Sequence, residues 1–388
     1  MAISDDVRLH GELLGRQGSR RALNTPVLVV ELDALDRNIA LMAGLAKAKG
    51  VDLRPHAKTH KSLDIARRQV AAGAVGLCCA KLGEAEALAQ GGVEGLHLTS
   101  PVVSAPAIER LIALNGRMER LSVVVDNPAN VAALAAAAAA AASPGRPLTV
   151  LIDIDPGIRR TGVASAEAAV ALARLIQLAP SLRYAGVQFY CGREQHIEGF
   201  AERRAAVEDR TAYLQGVIAA LTEAGAPPAI VTGSGTGTHR IDLELGVFTE
   251  LQVGSYVFMD DQYRACDLDG EGADTPPYQA SLFVDSRVVS ANGPGMVTVD
   301  AGLKAFATEG KPPTVADARL EGARYFFMGD EHGALAAPGI EDKLVIADMV
   351  ALAIPHCDPT VNLYDSYHVV RGDTLVEIWP VTARGRSR

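Results

Sequence analysis

The octapeptide Arg54-Pro55-His56-Ala57-Lys58-Thr59-His60-Lys61 closes the apolar–polar run Val51-Asp52-Leu53, where a short strand should give way to a helix. It sets Lys58 among histidines and a second cation. A lysine near other positive charges, and partly desolvated, loses proton affinity and becomes an amine nucleophile. That is the electronic requirement for imine formation with an aldehyde cofactor. A basic, solvated loop after a strand is the competing reading, and a lone K-x-x-K spacing favours it.

Four further constellations carry chemistry-capable groups. Thr232-Gly233-Ser234-Gly235-Thr236-Gly237-Thr238 follows a short β-like run, and Gly254-Ser255-Tyr256 comes soon after. Glycines let the backbone approach a phosphate, and successive N–H groups with hydroxyls form an anion nest. The same composition also makes an ordinary flexible turn. No Gly-Lys-Ser/Thr follows, so this is not a Walker loop. Arg159 and Arg160 follow the apolar run 148–154, either as surface charges or as permanent donors to a cofactor or anion. Tyr190-Cys191-Gly192-Arg193-Glu194-Gln195-His196 ends another strand-like run. There His196 is either a polar loop residue or a general base for neutral pH, while Cys191 reads as a small neighbour. Finally, Pro355-His356-Cys357-Asp358-Pro359-Thr360 leaves the apolar run 344–354. In extended backbone, residues two apart share a face, so His356 and Asp358 converge while Cys357 points away. An imidazole with a carboxylate suits Mn²⁺, Mg²⁺ or Co²⁺ with open positions, and two ligands are too few for structural zinc. A turn capped by Asp-Pro is the plainer alternative. Asp330-Glu331-His332 is also ligand-dense, and no spacing assigns it to a site or to an interface.

The elements that must position these groups alternate. Strands are expected at 26–32, 51–56, 75–79, 95–98, 121–125, 148–154, 184–190, 230–232 and 250–257, with helices between them. The longest alanine run belongs to a helix over 129–142, capped by Asn127 with Pro128 in the first turn. Strand–helix alternation implies parallel pairing through right-handed crossovers. About eight such units fit a (β/α)8 barrel with functional residues at the strand carboxyl ends; an open doubly wound sheet is the alternative. After residue 260 the pattern changes to strand-like runs at 281–290, 296–300, 325–328, 343–354, 367–370 and 375–381, with turns but no long helical period. The expected architecture is α/β: an N-terminal TIM-like barrel (33–260) and a C-terminal, mostly antiparallel β domain (261–388). The segment 1–32 should pack with the latter.

Composition excludes several classes. The 388-residue chain carries a formal net charge of −9, which argues against nucleic acid or an anionic membrane as a partner. No apolar run approaches a membrane span, and the start lacks a secretion signal. Five cysteines are too few and odd in number for a disulfide framework, which suits a reduced, cytoplasmic protein.

Taken in order over nearly the whole chain, these elements resemble the D-threonine aldolase and D-serine dehydratase family, which shares the alanine-racemase-like pyridoxal-phosphate fold. The resemblance implies a homodimer, a pyridoxal 5'-phosphate cofactor joined to Lys58, and Arg160 as partner of the pyridine nitrogen. It implies Tyr190 beside the cofactor, His196 as base, and Gly235, Thr236, Gly254, Ser255 and Tyr256 around the phosphate. The His-x-Asp-Pro-Thr motif, with the final Ala383-Arg384-Gly385, implies His356 and Asp358 as ligands of a divalent ion, Mn²⁺ first. Eukaryotic D-serine dehydratases typically place cysteine where this chain has Asp358, so the pattern looks like the aldolase one. The loop Thr-Gly-Ser-Gly-Thr and the Tyr190-Cys191 pair depart from the commoner Thr-Gly-Gly-Gly-Thr and Tyr-His. Neither change touches a group to which the resemblance gives a catalytic role, and by the same resemblance both lie close enough to alter substrate choice. The implied reaction is metal-assisted cleavage of a D-β-hydroxy-α-amino acid to glycine and an aldehyde. Rivals using the same apparatus are a D-serine or 3-hydroxyaspartate dehydratase and a 3-hydroxyaspartate aldolase. A non-catalytic pyridoxal-phosphate carrier and a metal hydrolase are more distant.

Overall fold

The computed structural model describes residues 5–141, 146–274 and 276–388. Ala142, the expected end of the alanine helix, Thr275 in the loop after residue 266, and the first four residues lie outside them.

Strand β1 (Val27–Glu31) is followed by eight short parallel strands: β2 (Asp52–Leu53), β3 (Cys78–Cys79), β4 (Leu96–Leu98), β5 (Leu121–Val125), β6 (Leu148–Ile154), β7 (Leu182–Phe189), β8 (Ile230–Gly233) and β9 (Glu250–Leu251). The eight are hydrogen-bonded in the order β2-β9-β8-β7-β6-β5-β4-β3. A parallel bridge between His56 and Cys78 joins the two ends, with the Cys78 N–H donating to the Pro55 carbonyl at 2.8 Å. The parallel ring is the predicted barrel, and the open doubly wound alternative falls. Strand β6, Leu-Thr-Val-Leu-Ile-Asp-Ile, is buried at every position, as a strand covered on both faces must be. Helices cover the outside. Leu32–Lys49 starts where the Glu31 carboxylate accepts the Ala34 N–H and stops at Gly50, whose φ of 66° a side chain would resist. The alanine helix, Pro128–Ala140, is capped by Asn127 as expected.

The second sheet holds β10 (Leu282–Gly293), β11 (Met296–Val299), β12 (Thr314–Val315), β13 (Arg324–Phe327), β14 (Gly333–Ala336), β15 (Met349–Ala353), β16 (Ser366–Arg371) and β17 (Thr374–Pro380). Its pairs are antiparallel, apart from β1 with β16. Strand β1 sits in this sheet, antiparallel to β10 and parallel to β16. One apolar core runs on from the barrel into the β sheet, through residues such as Leu28, Val284, Leu352 and Val369.

Three expectations need correcting. The run 250–257 is not one strand: β9 ends at Leu251, and Ser255–Val257 form a 3₁₀ turn because the Thr236 hydroxyl takes the Tyr256 N–H. The run 343–354 begins in the short helix Ile340–Lys343 and becomes strand only at Met349. Between them the chain turns at Ala347, with φ of 75°. The metal motif is not extended throughout. His356 is, but Cys357–Val361 form a helical turn that carries Asp358 in its first position after Cys357.

Candidate active site

A cavity of about 600 Å³ opens at the carboxyl ends of the barrel strands. Each barrel strand of interest contributes the residues just beyond its end: Lys58 after β2, Thr99 after β4, Asp126 after β5, Arg160 after β6, Tyr190 after β7, Gly235 and Thr236 after β8, and Gly254 and Ser255 after β9. Parallel strands end on one rim, so residues scattered over 200 positions meet there.

Lys58 stands in the single turn Ala57–Thr59. Its N–H donates to the Nδ1 of His56 at 3.3 Å, and the His56 Nε2 meets the Thr99 hydroxyl at 3.1 Å. The expectation of a lysine activated by neighbouring cations is wrong in its electrostatics. Its ammonium lies 2.9 Å from the Asp358 Oδ1. Burial works against the charge on Lys58, but the Asp358 carboxylate outweighs it and raises the lysine pKa. Burial likewise works against a charged Asp358, and the Lys58 ammonium overrides this to hold the carboxyl at about 2. His56, by contrast, is held neutral by burial and by the charge of Lys58.

The guanidinium of Arg160 lies over the Tyr190 ring, 5.5 Å from its centroid. Burial raises the Tyr190 pKa, so the phenol stays protonated at neutral pH. His196 sits at the end of the turn Glu194–His196, behind the cavity wall rather than in its lining, with its ring 4.7 Å from that of Tyr263, which does line it. Burial, then the charges of His356 and Lys58, lower its pKa. A neutral imidazole able to accept a proton results. Cys191 is buried and its thiol pKa raised, which removes it as a nucleophile.

The glycine loop fits an anion. The amide N–H groups of Gly235 and Thr236 meet no acceptor among the described residues. The backbone is packed too tightly there for side chains. A Cβ on Gly235 would sit 2.4 Å from the Gln195 Oε1, and one on Gly254 would sit 2.8 Å from the Thr59 Oγ1. Ser255 lines the cavity, but Tyr256 does not. The Tyr256 ring is buried, its N–H is taken by Thr236, and its hydroxyl accepts from Gln69 at 3.0 Å. The free amides, a lysine at the strand end and a fixed cation over an aromatic ring together fit pyridoxal phosphate.

The helical turn at Cys357 also brings His356 and Asp358 together, with Nε2 and Oδ2 3.8 Å apart. Two donors on one ion at ~2.1 Å each lie within about 4.2 Å, so the pair fits a divalent cation. The turn is held by a residue that the sequence did not single out. The Asp260 carboxylate accepts the Cys357 N–H at 2.9 Å and its thiol at 3.0 Å, so the cysteine faces the protein interior. Glu309, 2.6 Å from the His356 Nδ1, was equally invisible, because nothing in its loop announces a partner 47 residues on. Asp330, Glu331 and His332 form an exposed turn in which Glu331 pairs with Lys304, and none of them lines the cavity.

One other donor cluster exists among the described residues. Asp6, His10 and His368 bring ligand atoms within 4.8 Å of one another. The His10 Nε2 accepts the Asn24 N–H, so in a neutral ring its Nδ1 carries the proton that reaches the His368 Nε2 at 2.7 Å. Neither facing nitrogen is free for an ion.

A barrel with an amine at one strand end, a phosphate nest at another and a β domain beyond defines the alanine-racemase-like class of pyridoxal-phosphate proteins. Comparison with known families agrees. A model described as the alanine racemase N-terminal domain matches residues 30–262, and one described as a putative serine dehydratase domain matches 281–370. A 3-hydroxy-D-aspartate aldolase from Paracoccus denitrificans is 38% identical over 94% of this chain and 93% of its own length. A D-threo-3-hydroxyaspartate dehydratase from Delftia sp. is 33% identical over 94% and 98%. The crystal structure of D-threonine aldolase from Filomicrobium marinum superposes with a TM-score of 0.88, at 38% identity, covering 95% of this chain and 97% of that one. The chain belongs to the D-threonine aldolase and D-serine dehydratase family, pyridoxal-phosphate lyases of D-amino acids.

Proposed function

We propose that the protein is a pyridoxal-phosphate- and divalent-metal-dependent aldolase that cleaves D-β-hydroxy-α-amino acids of the D-threonine type to glycine and an aldehyde. The observation that carries this reading is the His356–Asp358 pair, 3.8 Å apart and joined to Lys58 through a 2.9 Å contact. A donor pair beside the anchoring amine would hold a Lewis acid next to the point where the cofactor is attached. The cofactor, when bound, supplies an electron sink at Cα, and the ion, Mn²⁺ in this reading, acidifies the β-hydroxyl.

The chain's own residues do the rest. Lys58 holds the cofactor through Nζ. The amides of Gly235 and Thr236, with Gly254 and Ser255, receive the phosphate. Arg160 keeps a permanent positive charge beside the ring, and Tyr190 packs against it. His196, neutral at pH 7, takes the β-hydroxyl proton as the Cα–Cβ bond breaks. His356 and Asp358 fix the ion.

A second substrate is favoured by a specific feature. Lys81 lines the same cavity, and its ammonium has no ion-pair partner among the described residues. It could receive the second carboxylate of 3-hydroxy-D-aspartate, the substrate named for the Paracoccus relative. The metal requirement tests the shared scheme. Chelation should abolish turnover and Mn²⁺ should restore it, whereas an enzyme indifferent to chelators would contradict the role given to His356 and Asp358.

A further inference from the structure

The two ring nitrogens of His356 have different surroundings. Nδ1 lies 2.6 Å from the Glu309 Oε1, and Nε2 lies 3.8 Å from the Asp358 Oδ2. An ionised carboxylate only accepts, so the proton of a neutral His356 sits on Nδ1, and the Nε2 lone pair is left facing Asp358. Glu309 is on the opposite edge of the ring, too far round to share an ion held at Nε2. On the other side, the Thr59 hydroxyl donates to the same Asp358 Oδ2 at 3.3 Å, which orients the carboxylate.

The approach of Glu309 is built into the fold. Its loop precedes β12 and is stitched to the metal-motif turn two residues earlier. The Ala307 N–H donates to the Thr360 hydroxyl at 3.0 Å, and that hydroxyl donates to the His356 carbonyl at 2.7 Å. A third tie, from the Tyr364 hydroxyl to the Ala305 carbonyl at 2.9 Å, holds the start of the loop. The carboxylate therefore meets the imidazole because two backbone segments are fastened together, although its own side chain is half exposed.

We propose that Glu309 is a positioning residue for the metal pair: it fixes the tautomer and ring orientation of His356 so that Nε2 is presented to the ion. This rests on the reading of His356 and Asp358 as the ligands. Carboxylates in this relation to a ligating histidine typically contribute 10–100-fold in metal affinity.

The test is a Mn²⁺ titration of the metal-stripped holoenzyme, with free Mn²⁺ read by its electron paramagnetic resonance signal. Glu309→Ala should weaken binding about 10–100-fold. Glu309→Gln keeps an oxygen acceptor for the Nδ1–H and should recover most of that loss. Glu309→Met fills a similar volume without an oxygen acceptor and should not recover it, whereas a residue that merely fills the loop would be rescued by either. The cofactor's visible spectrum in each variant checks that the site is folded. If Glu309→Ala binds Mn²⁺ like the parent while His356→Ala loses it, Glu309 has no part in presenting the histidine. If His356→Ala and Asp358→Ala also bind normally, the ligand assignment itself fails.

Discussion

At Lys58, the amine that should attack an aldehyde is held as an ammonium by the carboxylate that should hold the metal. Attack requires a free lone pair, so the Lys58–Asp358 contact has to be given up as the site is assembled. The lysine was legible in the sequence from its octapeptide; its counter-charge was not. Thr59 and Asp358 are 299 residues apart, and only the closed fold brings that carboxylate to the loop. Neighbours along the chain suggested cations around Lys58, and the neighbour in space is an anion. Replacing Lys58 with alanine should remove the visible absorbance of covalently held cofactor and reduce turnover by about a thousandfold or more, the scale of losing a covalent catalyst. The spectrum of the purified variant checks this, and a surviving band would mean that another amine carries the cofactor.

Among the elements, the loop carrying Lys58 is pinned from behind by a buried ion pair. Lys61, in the left-handed region at φ 49°, places its ammonium 3.2 Å from the Glu84 Oε1 and 3.0 Å from the Asn362 Oδ1. Glu84 also accepts the Ala80 N–H at 2.9 Å. The Tyr367 hydroxyl and the Ala383 N–H hold the His60 and Lys61 carbonyls, at 2.5 and 2.9 Å. The β domain thus grips the barrel loop that it completes. Removing one partner of a buried pair leaves a charge without compensation and costs about 3–5 kcal/mol. Glu84→Ala should lose stability of that order in urea unfolding, while a loss below about 1 kcal/mol would show that the pair is dispensable. Periodicity located the barrel elements because burial on one face leaves its mark in every turn. Strand ends were less legible. Side-chain contacts from distant segments decide them, as Thr236 does at Tyr256 and Asp260 does at Cys357.

For the whole molecule, the balance of buried titratable groups sets the response to acid. Burial lowers the pKa of His56, and holds His60, His97 and His239 at about 4 and His368 at about 3. An unfolded histidine titrates near 6.5, so between about pH 6.5 and 4 the unfolded chain binds more protons through these five, and stability falls as pH falls. Three buried carboxyls oppose this. Asp153 and Asp242 are raised to about 6 by burial and Asp260 is raised too, so the folded state binds more protons through them in the same window. The lowered histidines outnumber the raised buried carboxyls, so the net effect is a loss of stability as the pH falls. The urea midpoint should therefore drop steeply from pH 6.5 to 5, and a midpoint flat across that range would contradict the buried, neutral histidines. None of this was legible in the sequence. His56 and His60 drew notice only as neighbours of Lys58, while the barrel architecture that buries them followed from apolar runs alone. No helix among the described residues is long and apolar enough to cross a membrane.

The central claim is the bond that breaks, and product analysis reads it directly. The protein with pyridoxal phosphate and Mn²⁺ would be incubated separately with D-threonine, D-serine and D-3-hydroxyaspartate. Glycine with an aldehyde product is the predicted result, and the substrate turned over fastest separates the D-threonine reading from the 3-hydroxyaspartate one. A keto acid with ammonia, and no glycine, would make the protein a dehydratase and show that an Asp358 ligand does not select carbon–carbon cleavage.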